Sequence, residues 1–345
     1  MNESPRSTPE HLVHPPTGAG VEAGDASRIP GRSPIPHPGR SRDHAGNHRT
    51  EQREERPDDR HGHPVSPSDN GTHRRRRAGR DLPAAIGVGV GLGVVILTTL
   101  FLYRPAFVAV VAAAAVVGVW ELASRFSETK GISVPLPPLA LGGAAMVVAG
   151  YAGGPPAAWL TAAATALAVP AWRLLGPPEN YLRDVTAGVF AVFYVPFLAT
   201  FVTMMLTAED GAWRVLVFLL LTVVSDTGAY AVGWKFGRRR LAPRISPGKT
   251  REGLLGAVVA AVVTGALCME FLIDGGTWWQ GILLGLAVAA SATLGDLGES
   301  MIKRDLGIKD MGTLLPGHGG IMDRLDSLLP TAPVVWILLL VFVGS

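Results

Sequence analysis

Nine runs of predominantly apolar residues fill the chain from residue 81 onward, most of them near the ~20 residues a helix needs to cross a ~30 Å hydrocarbon core. They are Leu82–Tyr103, Pro105–Ser124, Pro135–Gly153, Pro156–Leu175, Val185–Leu206, Ala212–Trp234, Leu254–Ile273, Trp278–Glu299 and Leu328–Val343. Backbone N–H and C=O groups find no water inside a bilayer, so such runs must satisfy each other as helices. The pattern predicts an all-α polytopic membrane protein with about nine transmembrane helices. Gly and Pro interrupt the third and fourth runs.

Residues 1–80 are of another kind. They are rich in Arg, Pro, His, Gly and Ser, with few large apolar side chains. Such a segment buries too little apolar surface to offset its chain entropy, so a disordered tail is expected. Of the 31 Lys and Arg residues, 14 lie in this tail, leaving 17 basic against 17 acidic residues beyond it. The basic balance therefore belongs to the tail and does not call for a nucleic-acid partner. Arg74–Arg77 and Arg80 stand just before the first apolar run, where anionic cytoplasmic lipid would attract them. Cys268 is the single cysteine, so no intrachain disulfide forms. No cleavable signal peptide is expected, because residues 1–30 hold no apolar core. Three regions follow: a cytoplasmic tail (1–80), N-terminal transmembrane helices (81–210) and a C-terminal transmembrane region (211–345) where the chemistry is expected.

Charge orients this arrangement. With the tail in the cytoplasm, the cytoplasmic gaps hold Arg125 and Lys130, then Arg173 and Arg183, then a basic group from Lys235 to Arg251, then Lys303, Arg304, Lys309 and Arg324. The opposite gaps hold Glu209, Asp210 and Asp274, with Arg104 the one clear exception and Arg214 just inside the sixth run. This follows the positive-inside rule. Two cytoplasmic loops stand out, Lys235–Gly253 and Lys303–Ser327, and any chemistry is expected where they meet.

The second loop is dense in charge. Asp296, Glu299, Ser300, Lys303 and Arg304 recur at helical spacing and share one face. Asp296 lies roughly 27 Å along its helix from Trp278, at the edge of the hydrocarbon. Beyond it come Lys309 and Asp310, then His318 among glycines including Gly319 and Gly320, then Asp323, Arg324 and Asp326. Carboxylates at a membrane edge beside cations suit a hard metal and phosphate groups. In the sixth run Asp226 is an intramembrane carboxylate. Glu121 and Glu270 have no polar cluster around them and read as helix-end or packing residues. The basic loop contains Gly248-Lys249-Thr250, but Pro243 stands where a Walker A motif needs Gly, and a spanning helix precedes it rather than a strand. What remains is a phosphate-type donor set of Ser246, Lys249 and Thr250.

These residues resemble the CDP-diacylglycerol synthase family, the phosphatidate cytidylyltransferases. The family's signature is met without a gap at Ser300, Lys303, Arg304, Lys309, Asp310, His318, Gly319, Gly320, Asp323, Arg324 and Asp326. The resemblance extends back through Gly295-Asp296, the basic loop and the Ser225–Tyr230 segment. Gly248 and Arg251 depart from it, standing where the family usually has a basic residue and Trp. The resemblance implies transfer of a cytidylyl group from CTP to phosphatidate, yielding CDP-diacylglycerol and pyrophosphate. It implies Mg²⁺ as cofactor with Asp296 and Asp323 as metal ligands, a homodimer, and a site open to bilayer and cytoplasm in a bacterial plasma membrane. Asp296, Lys303, Arg304, Lys309, Asp310, His318, Asp323, Arg324 and Asp326 are the expected catalytic set. Asp226, Ser246, Lys249, Thr250, Glu299, Ser300, Gly319 and Gly320 are expected to bind substrate. Two other readings stay open at this point: a CTP-dependent kinase or cytidylyltransferase acting on another lipid, and an ion-coupled transporter built on the intramembrane carboxylates.

Overall fold

The computed structural model describes residues 82–312, 314 and 319–344, with side chains from Gly87 onward. The tail and His318 lie outside the described residues. Ten α-helices follow in order: α1 (Leu82–Leu102), α2 (Arg104–Lys130), α3 (Leu136–Arg173), α4 (Tyr181–Val192), α5 (Leu198–Met205), α6 (Gly211–Phe236), α7 (Arg251–Phe271), α8 (Trp278–Leu306), α9 (Met322–Leu325) and α10 (Leu328–Val343). A π-helical turn, Phe193–Phe197, joins α4 to α5. It carries Pro196, which cannot donate to the α-helical ladder.

Among the described residues, seven helices are long and apolar enough to cross a membrane, not the nine expected. Two things account for the difference. Side chains of α1 are described only over Gly87–Leu102, which is shorter than a span, although the helix itself covers 21 residues from Leu82. The expected third and fourth runs are continuous in α3, which covers 38 residues. Yet α3 doubles back. Asp184, in the first turn of α4, accepts the backbone N–H of Ser133 at 3.0 Å and the Arg173 guanidinium at 3.0 Å, so both ends of α3 meet one carboxylate. Midway, Gly142 lies against Thr165. The fold-back falls at Gly154 (φ 62°, ψ −159°), a conformation costly for any residue with a Cβ. Pro155 and Pro156 then open the second arm, where a missing N–H is harmless.

Also unlike the all-α expectation, the basic loop is a two-stranded antiparallel hairpin, β1 (Arg240–Ala242) with β2 (Ser246–Thr250). Arg104, the exception to the charge rule, has a local reason to be where it is. Its guanidinium donates to the carbonyls of Leu206, Ala208 and Glu209, in the turn that follows α5. Arg214 likewise pairs with Asp210 at 2.5 Å and donates to the Gly344 carbonyl at 2.6 Å.

The main core lies among α2, α3, α5, α6 and α10, around Phe107, Leu122, Met146, Phe218, Leu221 and Val335. On its other side α6, α7 and α8 pack on small residues. Gly265 of α7 and Gly281 of α8 are so close that a Cβ on Gly265 would overlap the Gly281 carbonyl. Without a hydrophobic drive between helices in lipid, such close approach gives them their packing energy. Gly295 presses in the same way against the Asp326 carbonyl and Pro330. The charged end of α8 is thereby fixed beside both the hairpin and the start of α10.

Candidate active site

The hairpin is tied down at its base. The Glu252 carboxylate, in the first turn of α7, accepts the backbone N–H groups of Arg238 and Arg239, each at 3.1 Å. Thr250 is the N-cap of α7, its hydroxyl accepting the Gly253 N–H at 3.1 Å. Thr250 thus fixes the start of α7, and its own O–H is not committed by that contact. Arg240 closes the hairpin by donating to the Pro247 carbonyl. Ser246 opens β2 opposite Ala242 and is half-buried.

Two contacts bring this hairpin to α8. Lys249 Nζ lies 2.7 Å from an Asp296 oxygen and 3.5 Å from the Thr293 carbonyl. Arg304 Nε donates to the Ile245 carbonyl at 3.1 Å. The two loops picked out by charge therefore meet, with Asp296 at the junction. Ser300 Oγ is 3.4 Å from the other Asp296 oxygen. Asp226 of α6 approaches the same point. It is exposed, accepts the Ser327 hydroxyl at 2.8 Å, and has Asp296, Lys249 and Arg324 as its charged neighbours.

Behind that junction lies a buried ionic cluster. Lys303 Nζ pairs with Glu299 at 2.6 Å and with Asp323 at 3.1 Å. The three side chains are 15%, 0% and 7% exposed, so each charge depends on the others. Asp323 also gathers the signature loop: its oxygens accept the N–H groups of Met311 at 3.0 Å, Gly312 at 3.4 Å and Gly320 at 2.9 Å. Asp326 accepts the Ser327 N–H at 2.7 Å and faces Glu299 and Asp296. Gly319 sits at φ 80° and turns the chain into this cluster. Gly307, at φ 71°, ends α8 and sends Lys309 and Asp310 outward, where both are exposed, as are Arg304 and Arg324.

Two residues not assigned to the site in the sequence touch the backbone of the signature segment. Glu121 of α2 is 3% exposed, and its Oε2 accepts the Met322 N–H at 2.8 Å. One turn later, Arg125 Nε donates to the Met311 carbonyl at 2.7 Å. Glu121, like Glu270, reads in the sequence as a helix-end or packing residue. Its i, i+4 spacing to Arg125 was the available signal, but their partners lie far along the chain. Glu270, read in the same way, lies in the last turn of α7 and accepts the Trp278 N–H at 2.9 Å.

The donor set can be tested against a divalent metal. Asp296 fits: its side chain is 37% exposed and its protein contacts are one ammonium and one long hydroxyl contact. Asp323 does not fit in this arrangement, because N–H donors occupy both of its oxygens. Among the described residues no three His, Cys, Asp or Glu side chains converge as a metal-binding group. Mg²⁺ keeps waters and substrate phosphates in its shell, so one or two carboxylates suffice for it.

Fold and site together define an integral membrane protein with a centre of cations and carboxylates at one end of its helical bundle. The chain belongs to the cytidylyltransferase family, whose profile matches residues 83–342. It is 43% identical over 279 residues to the phosphatidate cytidylyltransferase of Mycobacterium leprae (strain TN), covering 76% of this chain and 89% of that protein. It is 41% identical over 276 residues to the phosphatidate cytidylyltransferase of Mycobacterium tuberculosis (strain ATCC 25618 / H37Rv), covering 76% of this chain and 84% of that one. The Haemophilus influenzae enzyme of the same name is 42% identical over 127 residues, which is 36% of this chain and 44% of that protein.

Proposed function

We propose that this protein transfers the cytidylyl group of CTP to phosphatidate. An oxygen of the lipid phosphate attacks the α-phosphorus of CTP. The new P–O bond joins CMP to the lipid phosphate, the bond to the bridging oxygen breaks, and pyrophosphate leaves. The observation that carries this reading is the junction of Lys249 with Asp296 between hairpin and α8, in a chain of this family. Phosphomonoesters are already nucleophilic, so the protein's tasks are alignment and charge neutralisation. The exposed Arg304, Lys309 and Arg324 lie at the open end of the site, suited to the triphosphate and the lipid phosphate. Lys303 is neutralised by Glu299 and Asp323, so it holds the frame rather than substrate.

Mg²⁺ is proposed as cofactor; Asp296 would hold it, with Asp226 and Asp326 as neighbouring carboxylates of Asp296. When bound, it would neutralise charge across the phosphates. Asp323 anchors the signature loop in this reading.

Nine crossings are proposed, with the arms of α3 crossing separately and α1 adding one. The fold-back of α3 onto Asp184 supports this, and the distribution of basic residues supports a cytoplasmic N-terminus and site in a bacterial plasma membrane. The lipid then stays in the bilayer while CTP arrives from the cytosol. A homodimer is proposed on the family resemblance alone, to be checked by the mass of the detergent-solubilised protein. Release of pyrophosphate from CTP by the purified protein, dependent on phosphatidate in the vesicles, tests the function. Release with any other anionic lipid in place of phosphatidate, or none at all, would overturn it.

A further inference from the structure

We infer that Glu121 and Arg125 of α2 are positioning residues for this reaction, gripping the base of the signature loop from the side opposite Asp323. The inference rests on the proposed function for its kinetic part and on geometry for the rest.

The loop leaves α8 through Met311 and Gly312 and returns through Gly319 to Met322, and its two legs lie side by side: a Cβ on Gly320 would come within 2.7 Å of the Gly312 nitrogen. Asp323 binds N–H groups from both legs. Glu121 wedges in from α2. A Cβ on Gly320 would be 2.5 Å from its Oε2, and one on Gly312 would overlap its Oε1. Arg125 then takes the Met311 carbonyl, which the Asp323 contacts leave unused, and its own charge is met by Glu128 at 2.5 Å. So Met311 is held at its N–H by Asp323 and at its carbonyl by Arg125.

A purely structural contact would not need this chemistry. The Oε1 atom of Glu121 is buried without a hydrogen-bond partner among the described residues. A polar group buried in that state is costly, and an apolar side chain would fill the space without the cost. The carboxylate is explained by what its other oxygen does at Met322, the residue before Asp323. A shift of the Met322 N–H moves Asp323, hence Lys303 and Glu299, the frame beside Asp296. Displacements on the order of 1 Å at such sites cost about 100-fold in rate.

The test uses the full chain in phosphatidate vesicles. Glu121→Ala should lower kcat by about 30-fold or more, and Arg125→Ala by about tenfold, with KM for CTP within about threefold of wild type. Glu121→Gln keeps an oxygen for the Met322 N–H and should retain kcat within about threefold. Without substrate, amide exchange at Gly312, Gly320 and Met322 should speed in Glu121→Ala and not in the control Glu270→Gln. Wild-type kcat in folded Glu121→Ala would overturn the inference. So would a Glu121→Gln variant as slow as Glu121→Ala, or unchanged loop exchange in the alanine variant. If Glu121→Ala fails to fold, the kcat and loop exchange of Arg125→Ala decide. A wild-type protein that makes no CDP-lipid counts against the proposed function instead, and the exchange readout still stands.

Discussion

The hairpin between α6 and α7 is held by few side chains, whereas the segment between α8 and α10 is gripped on both of its described legs. The hairpin is fastened by the Glu252 carboxylate, the Thr250 cap and one carbonyl at its turn, and it leaves Arg238, Arg239 and Arg244 exposed. The signature segment is fastened by buried carboxylates that accept its N–H groups from two sides. One loop carries exposed charge to the junction on a short two-stranded ladder. The other is a frame whose charges are largely spent on one another. Asp296 stands between them, more open than the frame and paired to the hairpin through Lys249.

That contrast orders the expected effects of substitution. Lys303→Met breaks the frame, leaving Glu299 and Asp323 buried without a cation, and should cost ~3–5 kcal/mol in thermal unfolding. A loss below about 1 kcal/mol would mean the cluster is not buried as described. Asp296→Asn should leave a folded protein, judged by gel filtration, with turnover down about 100-fold, or ~2.7 kcal/mol in the barrier. Turnover within about threefold of wild type would remove Asp296 from the centre. Lys249→Ala touches the hairpin side and should raise KM for CTP by about tenfold while unfolding shifts little. A large fall in thermal stability instead would make the hairpin a second frame. The smallest effect is at the rim. Lys130→Ala loses an ion pair with Asp305, 3.4 Å long between exposed side chains, and should change stability by less than about 1 kcal/mol.

Much of this division is legible in the sequence, and the part that is not has physical causes. Helical spacing puts Asp296, Glu299, Ser300 and Lys303 on one face, because a helix's geometry is local. The meeting of the two loops follows from like topology: both are basic and both fall on one side. The Gly154-Pro155-Pro156 run separates the third and fourth apolar runs, and the chain turns back there even though helix continues on either side. The hairpin is hidden because its strands have only 3 and 5 residues and the second contains Pro and Gly. Glu121 is hidden because its meaning lies in Met322 and Gly320, and hydropathy weighs only neighbours in sequence. Asp323 is legible as a signature residue, but spacing cannot say whether its oxygens face a metal or a ring of N–H groups.

The central claim is that the nucleotide's α-phosphate, and no other phosphate, passes to the lipid. The direct measurement supplies the purified protein in phosphatidate vesicles with CTP labelled at the α- or the γ-phosphorus and follows the label. The account predicts that α-label enters the lipid fraction in step with pyrophosphate release, while γ-label stays in the aqueous phase as pyrophosphate. Label from the γ-phosphorus in the lipid, or CTP consumed with no label there, would contradict it.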